Sequence, residues 1–383
     1  MVVATMTHHP APNAPFETPR LPRHARLLVV AGYALLVSAI VLDLAADPQW
    51  TLSPVLATAP VLASIGTLRA RVPLAVGLCA LALVPLLALA DPGVPLVDHL
   101  TSGFTVLAIT SISTANVVLV ATRERELVQS RSVAEAAQRA LLRPPPERLD
   151  GLRTAVRYLA AAADARVGGD LYEALVTPFG TRLLVGDVRG KGLAAVETAA
   201  DVLGTFREAA QVEPDLAAVA ARLDAAVRRR RGRRKGRSAE NTVEAETAEE
   251  FVTAVLVGVP PSGDVAELVD CGHLPPLLVR AGRVTELESP DPDPPLALLE
   301  LAGGTYRRRS FTFRAGDVLL LCTDGVTEAR DAAGRFYPLW ERLARMPEEA
   351  PDVLLDCLVT DLLAYARGGL SDDAALLAVR RER

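Results

Sequence analysis

Apolar residues crowd the first third of the chain and are spaced out in the rest. Four nearly unbroken apolar runs come first: Leu27–Ala45, Leu52–Gly66, Pro73–Ala90 and Leu100–Ala121. Runs approaching twenty residues match what a helix needs to cross a bilayer, and the second, shorter and carrying Pro54 and Pro60, fits only as a tilted or kinked span. A helix-forming stretch with many charges, Thr122–Leu142, follows and stops at Pro144-Pro145-Pro146. Beyond Glu147 the pattern breaks into short segments. Arg182–Val188, Phe251–Val259, Val265–Val269, Pro276–Arg280, Arg283–Leu287, Phe311–Arg314, Val318–Thr323 and Ala374–Val379 read as strands. Leu193–Ala210, Leu216–Arg229, Trp340–Ala344 and Pro351–Ala366 read as helices. Pro-Ser-Gly at 261–263 and Ala-Gly at 281–282 mark hairpin turns. Hairpins with helices set apart imply an α+β domain of two packed antiparallel sheets with helices outside, not a βαβ repeat.

Charge orients the apolar part. Arg20, Arg23 and Arg26 precede the first run, Arg69 and Arg71 lie between the second and third, and Arg123 and Arg125 follow the fourth. The alternate loops and flanking span ends hold Asp43, Asp47, Asp91 and Asp98 but no Lys or Arg. The positive-inside rule then predicts four spans in the cell membrane with both termini cytoplasmic. The expected organisation is a disordered cytoplasmic tail (1–25), a four-helix transmembrane domain (26–121), a linker helix (122–146) and a soluble domain (147–383). The linker is expected either to pair with a second copy in a short coiled coil, giving a homodimer, or to act as a solvated spacer.

Composition agrees with this division. Half of the 383 residues are hydrophobic, and the mean hydropathy of +0.25 is high for a wholly soluble chain. A net charge of −5 gives no footprint for nucleic acid. The four cysteines are scattered without metal-binding spacing, as expected of a reducing cytosol. The dense basic block Arg228–Arg237 opens an expected mobile charged insertion over 228–250, either solvated or touching anionic lipid or an acidic partner.

Four aspartates stand at strand ends or turns: Asp170 in Gly-Gly-Asp, Asp187 in Gly-Asp-Val-Arg-Gly-Lys-Gly, Asp324 in Thr-Asp-Gly and Asp372 in Ser-Asp-Asp. Singly, each reads as an ordinary turn residue bonded to nearby amides. Together they form an all-oxygen donor set of the kind that holds Mg²⁺ or Mn²⁺, two of which can polarise a phosphoryl group. His273 is a candidate general acid or a turn-shaping residue, and Arg189 and Lys191 are candidate phosphate contacts or solvated cations.

The ordered segments Val-Gly-Gly-Asp-Leu-Tyr-Glu, Gly-Asp-Val-Arg-Gly-Lys-Gly-Leu-Ala-Ala, Phe251-Val-Thr-Ala, Cys271-Gly-His-Leu-Pro-Pro-Leu-Leu, Thr323-Asp-Gly-Val-Thr-Glu-Ala-Arg and Asp372-Asp-Ala-Ala resemble the SpoIIE-type branch of the metal-dependent (PPM, type 2C-like) serine/threonine phosphatases over about residues 137–382. The resemblance implies a four-layer α/β/β/α sandwich with two Mn²⁺ or Mg²⁺ ions between the sheets. It implies that Asp187 bridges both ions with the Val188 carbonyl assisting, and that Asp170, Asp324 and Asp372 complete the shell directly or through water. The implied substrate is a phosphorylated regulatory protein such as an anti-sigma-factor antagonist. Glu173, Cys271 and Ala375 depart from the usual Asp, Ala and Thr at their positions, none of them an implied ligand. The alternative is a catalytically weak scaffold that binds such a regulator without hydrolysis. The adjacent Asp373 competes with Asp372 for the ligand role, and motif order favours Asp372.

Overall fold

The computed structural model describes residues 34, 37–38, 41, 56–65, 67–90, 95–160, 168–238, 251–346, 350–367 and 369–382. The chain divides into two compact units, Met1–Val128 and Gln129–Arg383.

In the first unit, the expected tail and the first apolar run fall almost wholly outside the described residues. The second run contains the seven-residue helix α1 (Thr58–Ser64), and the third forms α2 (Arg71–Ala90), with Pro85 inside it. Leu56, Ala59, Ala63, Val76, Ala80 and Val106 pack into a small core. The fourth run lies in α3 (Leu96–Leu141), a 46-residue helix that runs without a break into the expected linker. Among the described residues α3 is the one helix long and apolar enough to cross a membrane, and the stretch Arg71–Leu86 of α2 is apolar but shorter.

The second unit begins with the last turns of α3 and contains two antiparallel sheets. Strands β1 (Arg148–Leu149), β2 (Leu152–Leu159), β3 (Leu171–Thr177), β4 (Gly180–Val188), β5 (Val252–Val259), β6 (Val265–Cys271), β7 (Leu277–Arg280), β8 (Arg283–Glu286), β9 (Arg309–Thr312), β10 (Val318–Cys322) and β11 (Ala374–Arg381) form a six-stranded sheet, β1-β2-β11-β10-β7-β8, and a five-stranded sheet, β3-β4-β5-β6-β9. Helices α4 (Leu193–Val212) and α5 (Leu216–Ser238) cover the five-stranded sheet. Short helices α6 (Leu299–Ala302), α7 (Asp324–Thr327) and α8 (Leu339–Leu343) precede α9 (Pro351–Tyr365), which covers β2 and β11. The layers are therefore helix, sheet, sheet, helix.

Inner-facing residues of both sheets share one core, including Leu183, Val185 and Val257 from one and Leu319, Leu321 and Leu377 from the other. Such alternation leaves one face of each strand for the facing sheet and the other for its covering helices. Phe206 of α4 is fully buried in that core. Arg182, 3% exposed in β4, donates to the Ala210 and Pro214 carbonyls at 3.0 and 2.8 Å, so its charge caps carbonyls where α4 gives way to α5. The β7–β8 hairpin turns through Ala281 and Gly282, both at positive φ (48° and 73°), the mirror-image turn that suits strand twist.

Three differences from the sequence expectations have local causes. The segments Leu152–Leu159 and Leu171–Thr177 are strands although they contain helix formers, because each is paired along its length with a neighbour, β11 or β4. The basic block Arg228–Arg237 opens no loop, since α5 continues through it to Ser238. Arg228 binds Asp224 and Glu300, and Arg230 binds Glu197 and Asp201, which supports the helix past its apolar stripe. Residues 239–250 of the expected insertion lie outside the described residues.

Candidate metal centre

Strand register collects the acids two by two. In the five-stranded sheet, Leu171 pairs with Gly186, which places Asp170 and Asp187 opposite each other at the same end of the β3–β4 ladder. In the six-stranded sheet, Cys322 pairs with Leu376, so the chain leaving β10 carries Asp324 beside the approach of Asp372 and Asp373 to β11. Because the sheets face each other, acids from both reach one cleft of about 280 Å³. Asp187, Asp324 and Asp372 line it together with Val188, Gly168, Gly169, Arg189, Lys191, Phe251 and Thr253. Asp170 lies behind this lining, 3% exposed, and accepts a hydrogen bond from Thr323 Oγ1 at 2.8 Å.

Glycines allow the acid-bearing segments to approach this closely. A Cβ at Gly169 would overlap the Val188 backbone, and one at Gly325 would overlap the Asp373 carbonyl. Gly190 and Gly192, at φ 120° and 81°, form the loop that leads into α4. Between them Lys191 projects to Asp372, with Nζ 2.8 Å from Oδ2. Arg189 stacks over Phe251, its guanidinium carbon 5.1 Å from the ring centroid.

Crowded carboxylates impose a cost. Burial, followed by the charges of Asp324 and Asp372, pushes the Asp187 carboxyl up to about 7. Burial and then Asp187 raise Asp170 well above the carboxylate range, and burial followed by Glu328 and Asp372 raises Asp324. Among the described residues no three His, Cys, Asp or Glu side chains form a ready-made ligand cluster. The donors nevertheless fit a hard divalent cation. They are all oxygen, they share one cleft, and their mutual repulsion is of the kind that a bound cation relieves.

A pH dependence follows. A folded carboxyl raised above its unfolded value holds its proton more tightly when folded, so the contribution of Asp187 to stability is greatest at low pH and falls as pH rises from about 4 to about 7. For Asp187 the loss is on the order of 4 kcal/mol, an upper figure because water and relaxation offset it. The metal-free chain should melt at a lower temperature at pH 8 than at pH 5, and Mn²⁺ should raise the midpoint more at pH 8. Thermal melts at fixed ionic strength check this, and a pH-independent midpoint would contradict it.

Not every sequence candidate acts in the cleft. The His273 ring is buried, its Nδ1 is 3.0 Å from Thr253 Oγ1, and burial lowers its pKa to about 4. A neutral imidazole is far too weak an acid to protonate a leaving group near pH 7, so the structure favours the positioning role over the general acid. Asp373 turns away from the lining toward Tyr158 and the Gly168 amide, leaving Asp372 at the cleft. The sequence reading missed Thr323, whose hydroxyl also accepts the Ala375 amide at 2.9 Å and so ties Asp170 to β11. Glu173 accepts from Arg207 Nε at 2.6 Å, a fold contact outside the cleft lining.

The architecture is that of the PP2C phosphatases. The SiaA-PP2C domain of Pseudomonas aeruginosa superposes with a TM-score of 0.54 at 19% identity, covering 68% of this chain and 99% of that domain. The RsbU and RsbW domains of Rv1364c from Mycobacterium tuberculosis match at 25% identity and a TM-score of 0.47, with 61% of each chain covered. This chain thus spans about three-fifths of that structure's length. The catalytic domain of the serine threonine protein phosphatase PstP, solved with 2 manganese ions, matches at 22% identity and a TM-score of 0.42, covering 61% of this chain and 99% of that one. The sequence profile of the family Stage II sporulation protein E (SpoIIE) matches residues 177–382, more than half of the chain. The chain belongs to the SpoIIE family.

Proposed function

We propose that the chain is a membrane-anchored, Mn²⁺- or Mg²⁺-dependent phosphatase that removes phosphate from serine or threonine of a regulatory protein, of the kind that opposes an anti-sigma factor. The observation that carries this reading is the convergence of Asp187, Asp324 and Asp372 on one cleft, with Asp170 directly behind. In this reading Asp187 would hold both ions with the Val188 carbonyl, and Asp170, Asp324 and Asp372 would complete the ligand set directly or through water. The bound ions supply Lewis-acid activation of water and of the phosphoryl oxygen. Arg189 and Lys191, on the cleft lining, supply positive charge for the substrate phosphate, and Lys191 exchanges its bond to Asp372 for one to phosphate. The test is Mn²⁺-dependent phosphate release by the full chain from a phosphoserine protein, with Asp187→Asn as control. Equal release by both proteins, or none by either, would favour the scaffold reading.

Membrane anchoring rests on the apolar runs and on the arginines between them, with four spans and both termini in the cytoplasm. A reporter fused after Ala121 should then be active on the cytoplasmic side. Activity on the outer side would remove the four-span arrangement without touching the phosphatase reading.

A further inference from the structure

The last turns of α3 make hydrogen bonds that the proposed chemistry does not use. Gln138 is 6% exposed, and its Nε2 donates to Tyr158 Oη at 2.8 Å and to the Gly168 carbonyl at 3.4 Å. The Tyr158 hydroxyl in turn donates to Asp373 Oδ2 at 2.5 Å. The same carboxylate oxygen accepts the Gly168 amide at 2.9 Å. The helix end is itself seated, since Ala134, Ala137 and Leu141 pack with Val196 and Arg207 Nη2 donates to the Leu141 carbonyl at 3.2 Å.

Asp373 is where the acid-bearing segments meet. It follows Asp372 in the chain, it holds the Gly168 amide two residues before Asp170, and its carbonyl packs against Gly325 beside Asp324. A Cβ at Gly168 would come within 2.9 Å of the Asp373 carboxylate, so that contact is as close as backbone allows. Burial and the neighbouring Asp373 charge raise the Tyr158 pKa, which keeps its hydroxyl a proton donor. Without that donor a carboxylate 5% exposed would keep the Gly168 amide and lose the hydroxyl that meets it at 2.5 Å.

We propose that Gln138 and Tyr158 are positioning residues for the acidic cleft, fixing Asp373 and through it the spacing between the Gly168–Asp170 turn and Asp372. A helix residue and a strand residue, neither lining the cleft, then set how tightly it holds a divalent cation. Removing hydrogen-bond partners that orient metal ligands typically costs 10- to 100-fold in affinity. The inference rests on the metal-binding part of the phosphatase reading.

The experiment is a Mn²⁺ titration of the full chain, with free Mn²⁺ followed by electron paramagnetic resonance and thermal midpoints measured beside it. Tyr158→Phe should weaken binding by about tenfold or more, and Gln138→Met by a smaller factor, with turnover at saturating Mn²⁺ changing far less than affinity. Parental Mn²⁺ affinity in both variants would overturn the proposal, as would a loss that merely follows a fallen midpoint. If Tyr158→Phe does not fold, Gln138→Met decides on the same criteria. Asp187→Asn in the same titration separates the two readings. If it loses Mn²⁺ while Tyr158→Phe and Gln138→Met keep it, only the positioning role fails. If it binds Mn²⁺ like the parent, both readings fail.

Discussion

Asp187→Asn should lower Mn²⁺-dependent phosphate release on the order of 10³-fold, which corresponds to about 4 kcal/mol of transition-state stabilisation. The amide keeps the shape of the side chain and its place opposite Thr253 at the end of β4, so the fold should survive. In the proposed reading it removes a carboxylate charge that would hold the ions. The same change should stabilise the metal-free protein at pH 8, because the wild-type carboxylate is held there against burial and against Asp324 and Asp372. Loss of activity with a gain in melting temperature is an unusual pairing, and it separates a functional acid from a turn aspartate. A turn aspartate replaced by Asn would leave activity intact and stability level or lower. Phosphate release and thermal melts on the same preparation measure both.

Gly325→Ala should be damaging for a different reason. Gly325 is buried in α7, one residue after Asp324, and an added methyl would overlap the Asp373 carbonyl and lie 3.3 Å from the Ala374 Cα. Those are backbone atoms, so no side chain can rotate aside. The segments must separate, at a cost of about 1–3 kcal/mol as in an overpacked core. Moving Asp324 away from Asp372 by even ~1 Å is expected to cost about 10²-fold in activity. Measured turnover near the parental value, with an unchanged midpoint, would show that this contact carries no such constraint.

Much of the second unit was legible because strands such as β4, β5 and β10 are buried along nearly their whole length and read as short, almost continuous apolar runs bounded by turn residues. The short β1, together with β2 and β3, was not. Arg153, Arg157, Glu173 and Ala174 weaken the alternation locally, and their strand state comes from pairing with residues far away in sequence. The block after Arg228 misled for the opposite reason. Its charge looked solvated, but Asp201, Glu197 and Glu300 are brought to it by the fold. At the cleft, glycine-flanked aspartates could be picked out one at a time, since each needs only its local turn. Their partners could not. Thr323, Tyr158 and Gln138 act across separations of 20 residues or more, and no local pattern marks a hydroxyl or an amide for that role. Motif order alone favoured Asp372 over Asp373, and what it could not show is that Asp373 is held by the Tyr158 hydroxyl and the Gly168 amide while Asp372 lines the cleft.

Equilibrium dialysis of the full chain against Mn²⁺ at pH 8, with metal counted per polypeptide, tests most directly whether these aspartates form one centre. The account predicts two ions bound per chain and a reduced number in Asp187→Asn. A chain that takes up no Mn²⁺ or Mg²⁺ at millimolar concentrations, or an Asp187→Asn variant that binds as many ions as the parent, would contradict it.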